Sequence, residues 1–323
     1  MKRIRFNQQV SRIGLLTIAV MLLPLGSRAQ DAAEAPEAPP IDLRPVWETG
    51  RISRYQLSTI VNYTMHTASS PEPRTSAIQV TTESTWTVLE ANPDGGGSCE
   101  LMINKAELKL TGADGAVTTA NDVEGEEGAE PYHQFAAGLV GTPITVEISP
   151  EGRVQSVAGW EPIRDNSGPL GAQLIDLDFR EIAYKLAPLA GGTVEVAPGA
   201  QWNEQFEFDD ILGRIDQDSQ YEFIGVEEMA GIPIAMINRK SSLSIIPDEQ
   251  EDVPEGMDMS MDVLEATQTS QIMVDMSRHE VVGMNIDKVI ESRVTMQFGE
   301  RQYISTTRRE ANIQCIRIAE SGQ

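Results

Sequence analysis

The stretch from Val196 to Ile246 sets the terms for the whole chain. Behind a Pro198-Gly199 turn it alternates apolar and polar residues, and two further strand-like runs follow, joined by the tight break Glu227 to Gly231. Alternation with period two sends successive side chains to opposite faces, which suits a half-buried strand and not a helix. The same pattern recurs at Tyr55–Thr67 and Ile78–Asn92, where Trp86 and Val88 point one way and Thr85 and Thr87 the other. Asn92 to Gly97 is a strong turn, and Cys99–Leu110 is the returning strand. Ile144–Ser149 and Val154–Val157 form a second hairpin around Ser149-Pro150-Glu151-Gly152. Closing strands are expected at Gln271–Ser277, Val281–Ile290, Arg293–Phe298, Gln302–Arg308 and Ile313–Ala319. No βαβ alternation accompanies them, so the fold class is mainly β and antiparallel.

Helical signal is confined to two places. Pro131–Leu139 reads as a short helix that lays Tyr132 and Phe135 on the sheet. Residues 166–190 hold the stronger one: Ser167 can cap it, Pro169 fits its first turn, and Ile175, Phe179, Ile182, Ala183 and Leu186 share one face. Gly112–Glu130 and Pro247–Asp262 read as acidic loops. The expected organisation is a signal peptide (1–29), a disordered Ala/Pro/acid-rich linker (30–46), a first β unit (47–165), the bridging helix (166–190) and a second β unit (191–323).

The start of the chain carries an export pattern. Lys2, Arg3, Arg5 and Arg12 precede the apolar run Ile13–Leu25, and Ser27-Arg28-Ala29 offers small residues where a signal peptidase reads. Pro24 and the shortness of the run fit an uncleaved membrane anchor less well. No cysteine lies near the cleavage point, so a lipid anchor is not expected. Removing 29 residues that hold five Lys/Arg and no Asp/Glu leaves 294 residues and turns a net charge of −24 into −29. Such a surface repels nucleic acid, and the expected location is periplasmic or secreted. Only 5% of residues are aromatic, too few for the girdles of an outer-membrane barrel. Cys99 and Cys315 are the only cysteines; outside the cytoplasm they are either a disulfide tying an early strand to the last or two separately buried thiols.

The two β units can be laid over each other. Trp86, Val88 and Leu89 match Tyr221, Phe223 and Ile224; Lys105–Leu110 matches Lys240–Ile245; Val146–Ser149 matches Val274–Ser277, and Val154 matches Val282. Met102-Ile103-Asn104 and Met236-Ile237-Asn238 lie just upstream, offset by one residue. Two related antiparallel meanders bridged by one amphipathic helix, forming a half-barrel or a sandwich, would explain this. Leu139 to Val154, and the run Val194 to Trp202 followed by Tyr221, Gly225-Val226-Glu227, Gly231 and Ala235-Met236-Ile237, resemble motifs of uncharacterised exported bacterial β proteins of planctomycete type. The resemblance covers most of the chain from about Tyr55 onward. It implies the two-unit β fold and assigns no activity and no site.

Chemistry-bearing motifs are sparse. His66, His133 and His279 lie far apart, and neither a nucleophile elbow nor a phosphate-binding loop is present. Asp209-Asp210 and Asp216-Gln217-Asp218 do not continue into a calcium loop with its glycine and terminal glutamate. Met257, Met259 and Met261 alternate in GMDMSMD, with Met273, Met276 and His279 following; thioethers suit Cu(I), and the competing reading is that they fill core gaps. No cofactor and no catalytic residue is expected. The expected function is an exported, non-catalytic protein that binds an apolar ligand or an envelope protein. The alternatives are an envelope-polymer hydrolase using paired carboxylates and a purely structural envelope component.

Overall fold

The first strand and the last lie side by side, and that pairing organises the sheet. In the computed structural model β1 (Ile52–Thr67) pairs antiparallel with β12 (Arg301–Arg317), from Tyr55 opposite Arg317 to Thr67 opposite Ser305. The structure describes residues 40–318 except 69, 94, 124–128, 151–153, 167–194, 211–212, 247–256 and 299–300. Outward from β1 run β2 (Ser70–Ala91), β3 (Gly97–Thr111), β5 (Pro143–Ile148) and β6 (Val154–Ala158), with β4 (Val117–Asn121) pairing the far end of β3. Outward from β12 run β11 (Glu280–Phe298), β10 (Met257–Asp275), β9 (Ile232–Ile246), β8 (Gly213–Met229) and β7 (Gln201–Asp210). All neighbours are antiparallel, so the class is mainly β: one open sheet of 12 strands, with two helices among the described residues, α1 (Glu130–Leu139) and α2 (Glu161–Asn166). The two meanders are therefore halves of a single sheet, joined through β1 and β12.

The halves repeat each other in backbone detail. In β2, Val88 faces Cys99 and Glu90 faces Ser98, so Leu89 is the extra residue of a bulge; in β8, Phe223 faces Ile237 and Gly225 faces Met236, so Ile224 is the extra residue. The turn before each half closes on the same residue of that bulge. Gly50 N–H donates to Val88 C=O (2.8 Å) while Val88 N–H donates to Arg51 C=O (2.9 Å). Gly199 N–H donates to Phe223 C=O (2.7 Å) while Phe223 N–H donates to Ala200 C=O (2.9 Å). Both glycines sit at φ +84°, the left-handed region that a residue with a Cβ avoids. The match of Trp86, Val88 and Leu89 to Tyr221, Phe223 and Ile224 is thus also the match of the two bulges.

Beyond the bulge the sequence superposition slips. The β8–β9 hairpin runs on to Met229 opposite Ile232 before turning at Ala230-Gly231, whereas β2–β3 turns after Ala91 opposite Gly97. Counted by register, Lys105 opposite Glu83 corresponds to Ser242 opposite Asp218, not to Lys240. Val146 likewise corresponds to Ile272, two residues before Val274, because the bulges at Gln155 and Val282 fix the later pair. The unequal turns carry the residues after them out of a constant offset.

Other expectations shift at element ends. The linker expected to reach residue 46 is ordered in its last part: Ile41 exchanges two backbone bonds with Val196 (2.8 and 2.9 Å), and Leu43 is buried. The first acidic loop contains β4, and the five closing strands are three long ones, β10 to β12, because residues 291–292 and 309–312, mostly polar, continue the ladder. The signal (1–29), the bridging helix beyond Asn166 and residues 247–256 of the second acidic loop lie outside the described residues. α1 forms as expected, with Pro131 in its first turn and Phe135, Ala136 and Leu139 buried against the sheet.

One face of the sheet, the core face, carries the apolar side chains. A continuous cluster includes Tyr55, Trp86, Leu101, Ile144, Phe135 and Ile163 from the first half and Tyr221, Phe223, Ile237, Ile272 and Ile286 from the second. A smaller cluster, Ile215, Leu243 and Ile290, sits farther along the strands of the second half.

Candidate functional site

A single cross-strand row on the core face changes character halfway along. Register places Glu204, Ser219, Ser241, Gln268 and Lys288 in line on β7 to β11, and continues through Ala311, Val61, Ile78 and Leu110 on β12, β1, β2 and β3. The strands are about 4.8 Å apart, so the row is roughly 40 Å long. Its first five members are polar and buried. Its last four are apolar and only half-buried, as are Leu57 and Val80 beside them. Burial and polarity are thus inverted: the polar half is enclosed and the apolar half is open.

The polar half is built as a network. Gln217 Nε2 donates to Ser219 Oγ (2.8 Å), and Ser219 and Ser241 hydroxyls are 2.9 Å apart. In the adjacent row Arg239, 2% exposed, donates from Nη2 (2.8 Å) and Nε (3.2 Å) to Ser270 Oγ, and its guanidinium lies 5.9 Å from the centre of the Tyr221 ring. Trp202 stacks on the other side of this arrangement, 5.2 Å from Tyr221 and nearly parallel at 4°. Buried polar groups of this kind need partners, since an unmet one costs about 1–3 kcal/mol. Sequence reasoning passed over Arg239 and Lys288, although their parity gives them away. Arg239 is in phase with Ile237 and Leu243, and Lys288 with Ile286 and Ile290, all of them buried.

A second polar cluster locks the seam between the halves. Arg317 on β12 binds Glu280 Oε2 (2.8 Å) and Asp275 Oδ2 (3.1 Å), and Tyr55 O–H donates to Glu280 Oε1 (3.1 Å). Asp275 Oδ1 also accepts from the Ser277 hydroxyl (2.5 Å) and the Ser277 amide (2.9 Å). Burial works to raise the Asp275 pKa, but the Ser277 hydroxyl, Arg317 and the Ser277 amide outweigh it and hold the carboxyl below its usual range. Tyr55 is pushed well above the ordinary phenol, first by burial and then by the nearby Glu280. Asp275 and Glu280 are cross-strand neighbours and form one buried carboxylate pair of the kind the hydrolase alternative calls for. Both grip one guanidinium, and Asp275 is shifted away from the raised pKa a general acid needs.

The remaining sequence candidates do not converge. Cys99 and Cys315 are free buried thiols on β3 and β12, with β1 and β2 between them; Cys99 is level with Arg51 and Cys315 with Leu57, which puts them roughly 25 Å apart and beyond disulfide reach. Met257, Met259 and Met261 stand opposite Phe298, Met296 and Val294 on β10, with the side chains of Met257 and Met259 outside the description. Met273 lies about 40 Å farther along the same strand, so it joins no common site with Met261. His133 Nδ1 contacts Asn121 C=O (2.8 Å) and His279 Nδ1 contacts Arg44 C=O (3.0 Å), on different elements. Among the described residues no three His, Cys, Asp or Glu side chains are grouped to hold a metal, and no helix is long and apolar enough to cross a membrane.

No family model and no curated protein matches the chain. Among solved structures it is similar to lipovitellin, from a study of lipid–protein interactions in that protein, at a TM-score of 0.45 and 11% identity, covering 86% of this chain and 26% of the other. The chain therefore spans about a quarter of the lipovitellin chain. It is also similar to an outer membrane lipoprotein-sorting protein domain from Vibrio parahaemolyticus (TM-score 0.15, 10% identity, 82% and 86% covered). A DUF1329 family protein from Desulfovibrio piger matches at TM-score 0.15 and 10% identity, with 80% and 84% covered. At these values the likenesses do not extend to a shared function.

Proposed function

We propose that the chain is an exported, non-catalytic envelope protein that holds an amphipathic, largely apolar ligand against the core face of its sheet. The observation that carries this reading is the row from Glu204 to Leu110, polar and buried on one half, apolar and half-open on the other. An acyl-type chain laid over Val61, Ile78, Val80 and Leu57 would remove their exposed surface from water, at about 25 cal/mol for each Å² of apolar area covered. The polar end of such a ligand would meet Lys288 and Gln268, which follow in the same row. The basic and apolar start of the sequence, and its resemblance to exported bacterial β proteins of planctomycete type, support the envelope location.

The test is titration with a fluorescent fatty acid such as cis-parinaric acid. Binding is expected to saturate at one or a few sites and to weaken roughly tenfold, equivalent to about 1.4 kcal/mol, in a Val61→Gln, Ile78→Gln double variant. Absence of saturable binding, or binding indifferent to those two changes, rejects the reading.

A further inference from the structure

The opposite face of the sheet carries a concavity whose chemistry differs from that of the core face. A trough of about 990 Å³ lies over β7, β8 and β9. Its walls are two cross-strand rows, Asn203–Gln220–Lys240 and Gln205–Asp218–Ser242, in register and all exposed. Between them runs the backbone of Glu204, Ser219 and Ser241, whose side chains are buried on the core face and leave the floor flat.

Three features of the walls specify a ligand class. No wall side chain is apolar, so the trough offers no hydrophobic driving force. Lys240 and Asp218 offset each other, so the two walls carry no net charge of their own, on a chain whose net charge of −24 disfavours an anionic ligand. What remains is a set of three amides, a hydroxyl and one charge of each sign, and each amide offers donors and an acceptor side by side. Gln205 Nε2 already donates to Asp218 Oδ1 at 2.7 Å, which orients both groups along the wall. Paired donors and acceptors on a flat, neutral floor suit vicinal hydroxyl groups, each of which gives and takes one hydrogen bond. Among the described residues β7 ends the strand order.

We propose that this trough binds a neutral glycan segment, independently of the core-face site. The experiment is a panel of neutral gluco-, manno- and galacto-oligosaccharides, screened on a printed array with the full chain and then titrated by calorimetry. The expected result is binding to at least one member that falls roughly tenfold or more in an Asn203→Ala, Gln220→Ala double variant. The urea midpoint of that variant should match the parent, since the two side chains are exposed. The Val61→Gln, Ile78→Gln variant should keep glycan affinity intact, which separates failure here from failure of the core-face reading. No binding to any neutral member, binding unaffected by the trough variant, or a preference for anionic over neutral oligosaccharides overturns the proposal.

Discussion

Leu89 and Ile224 are the same residue twice: each is the unpaired member of a bulge, each is exposed, and each follows a core residue that closes a glycine turn. A bulge adds twist and fixes register, so an identical bulge in two places forces two strand pairs to leave the core in the same way. The halves share little beyond this in side-chain identity. What is repeated is a backbone device.

The seam cluster carries the first prediction. Arg317→Met would leave Asp275 buried without its cation and Glu280 held by Arg278 alone (3.3 Å), at a cost of about 3 kcal/mol. Arg308 also meets three carboxylates, Glu265, Glu291 and Glu310, but all four side chains are partly exposed (29–54%), so Arg308→Met should move the urea midpoint far less than Arg317→Met. Equilibrium urea unfolding of the two variants checks the contrast.

Acid should loosen the same cluster. The folded Asp275 carboxyl titrates below its unfolded value of about 3.9, so its contribution to stability is complete above that pH and fades as pH falls through the folded pKa. The urea midpoint should therefore drop on acidification below about pH 4. In Asp275→Asn that drop should be shallower; equal slopes for the two proteins would contradict the assignment.

Gly97 is fixed by its neighbour. A Cβ there would stand 2.0 Å from Glu90 C=O, at φ +147°, so Gly97→Ala should cost about 3 kcal/mol or more and lower the melting temperature sharply. Gly115 has a positive φ but open space around it, and Gly115→Ala should cost only about 1 kcal/mol. Calorimetric melting of both variants measures the difference.

Ala230 offers a change in the other direction. It holds φ +53° beside Gly231 at +81° in the two-residue turn of the β8–β9 hairpin, a conformation that favours Asn-Gly. Ala230→Asn should raise stability by about 0.5–1 kcal/mol, read as a higher urea midpoint with unchanged slope.

The thiols should be silent in the native state. Burial pushes Cys99 and Cys315 up to about 12, so neither should react with a disulfide reagent at pH 8 until urea is added, when both should react. Rapid labelling of either one in native protein would contradict its burial.

Much of this fold was legible from period-two alternation and turn residues, including both bulge strands and the short helix that buries Phe135. Alternation does not name a partner, however, and nothing near Tyr55 indicates that its strand pairs with the one carrying Arg317. Ile41 and Leu43 were masked by the Ala/Pro-rich run in front of them. The polar belt was hidden for a different reason: Arg239, Gln268 and Lys288 read as solvent-facing in any composition window, and only their parity with buried neighbours marks them as inward.

The joint between β1 and β12 gives the chain an awkward order of assembly. β1 is synthesised before β2 to β11, and β12, its neighbour on that side, only after them. Until then the inner edge of the first half stands open, a row of unpaired amides and carbonyls beside Val61 and Leu57. A nascent chain is therefore a one-sided template, and folding to completion is also the step that removes it from reach of other strands. Whatever holds that edge before β12 arrives governs how much of the protein reaches its sheet at all.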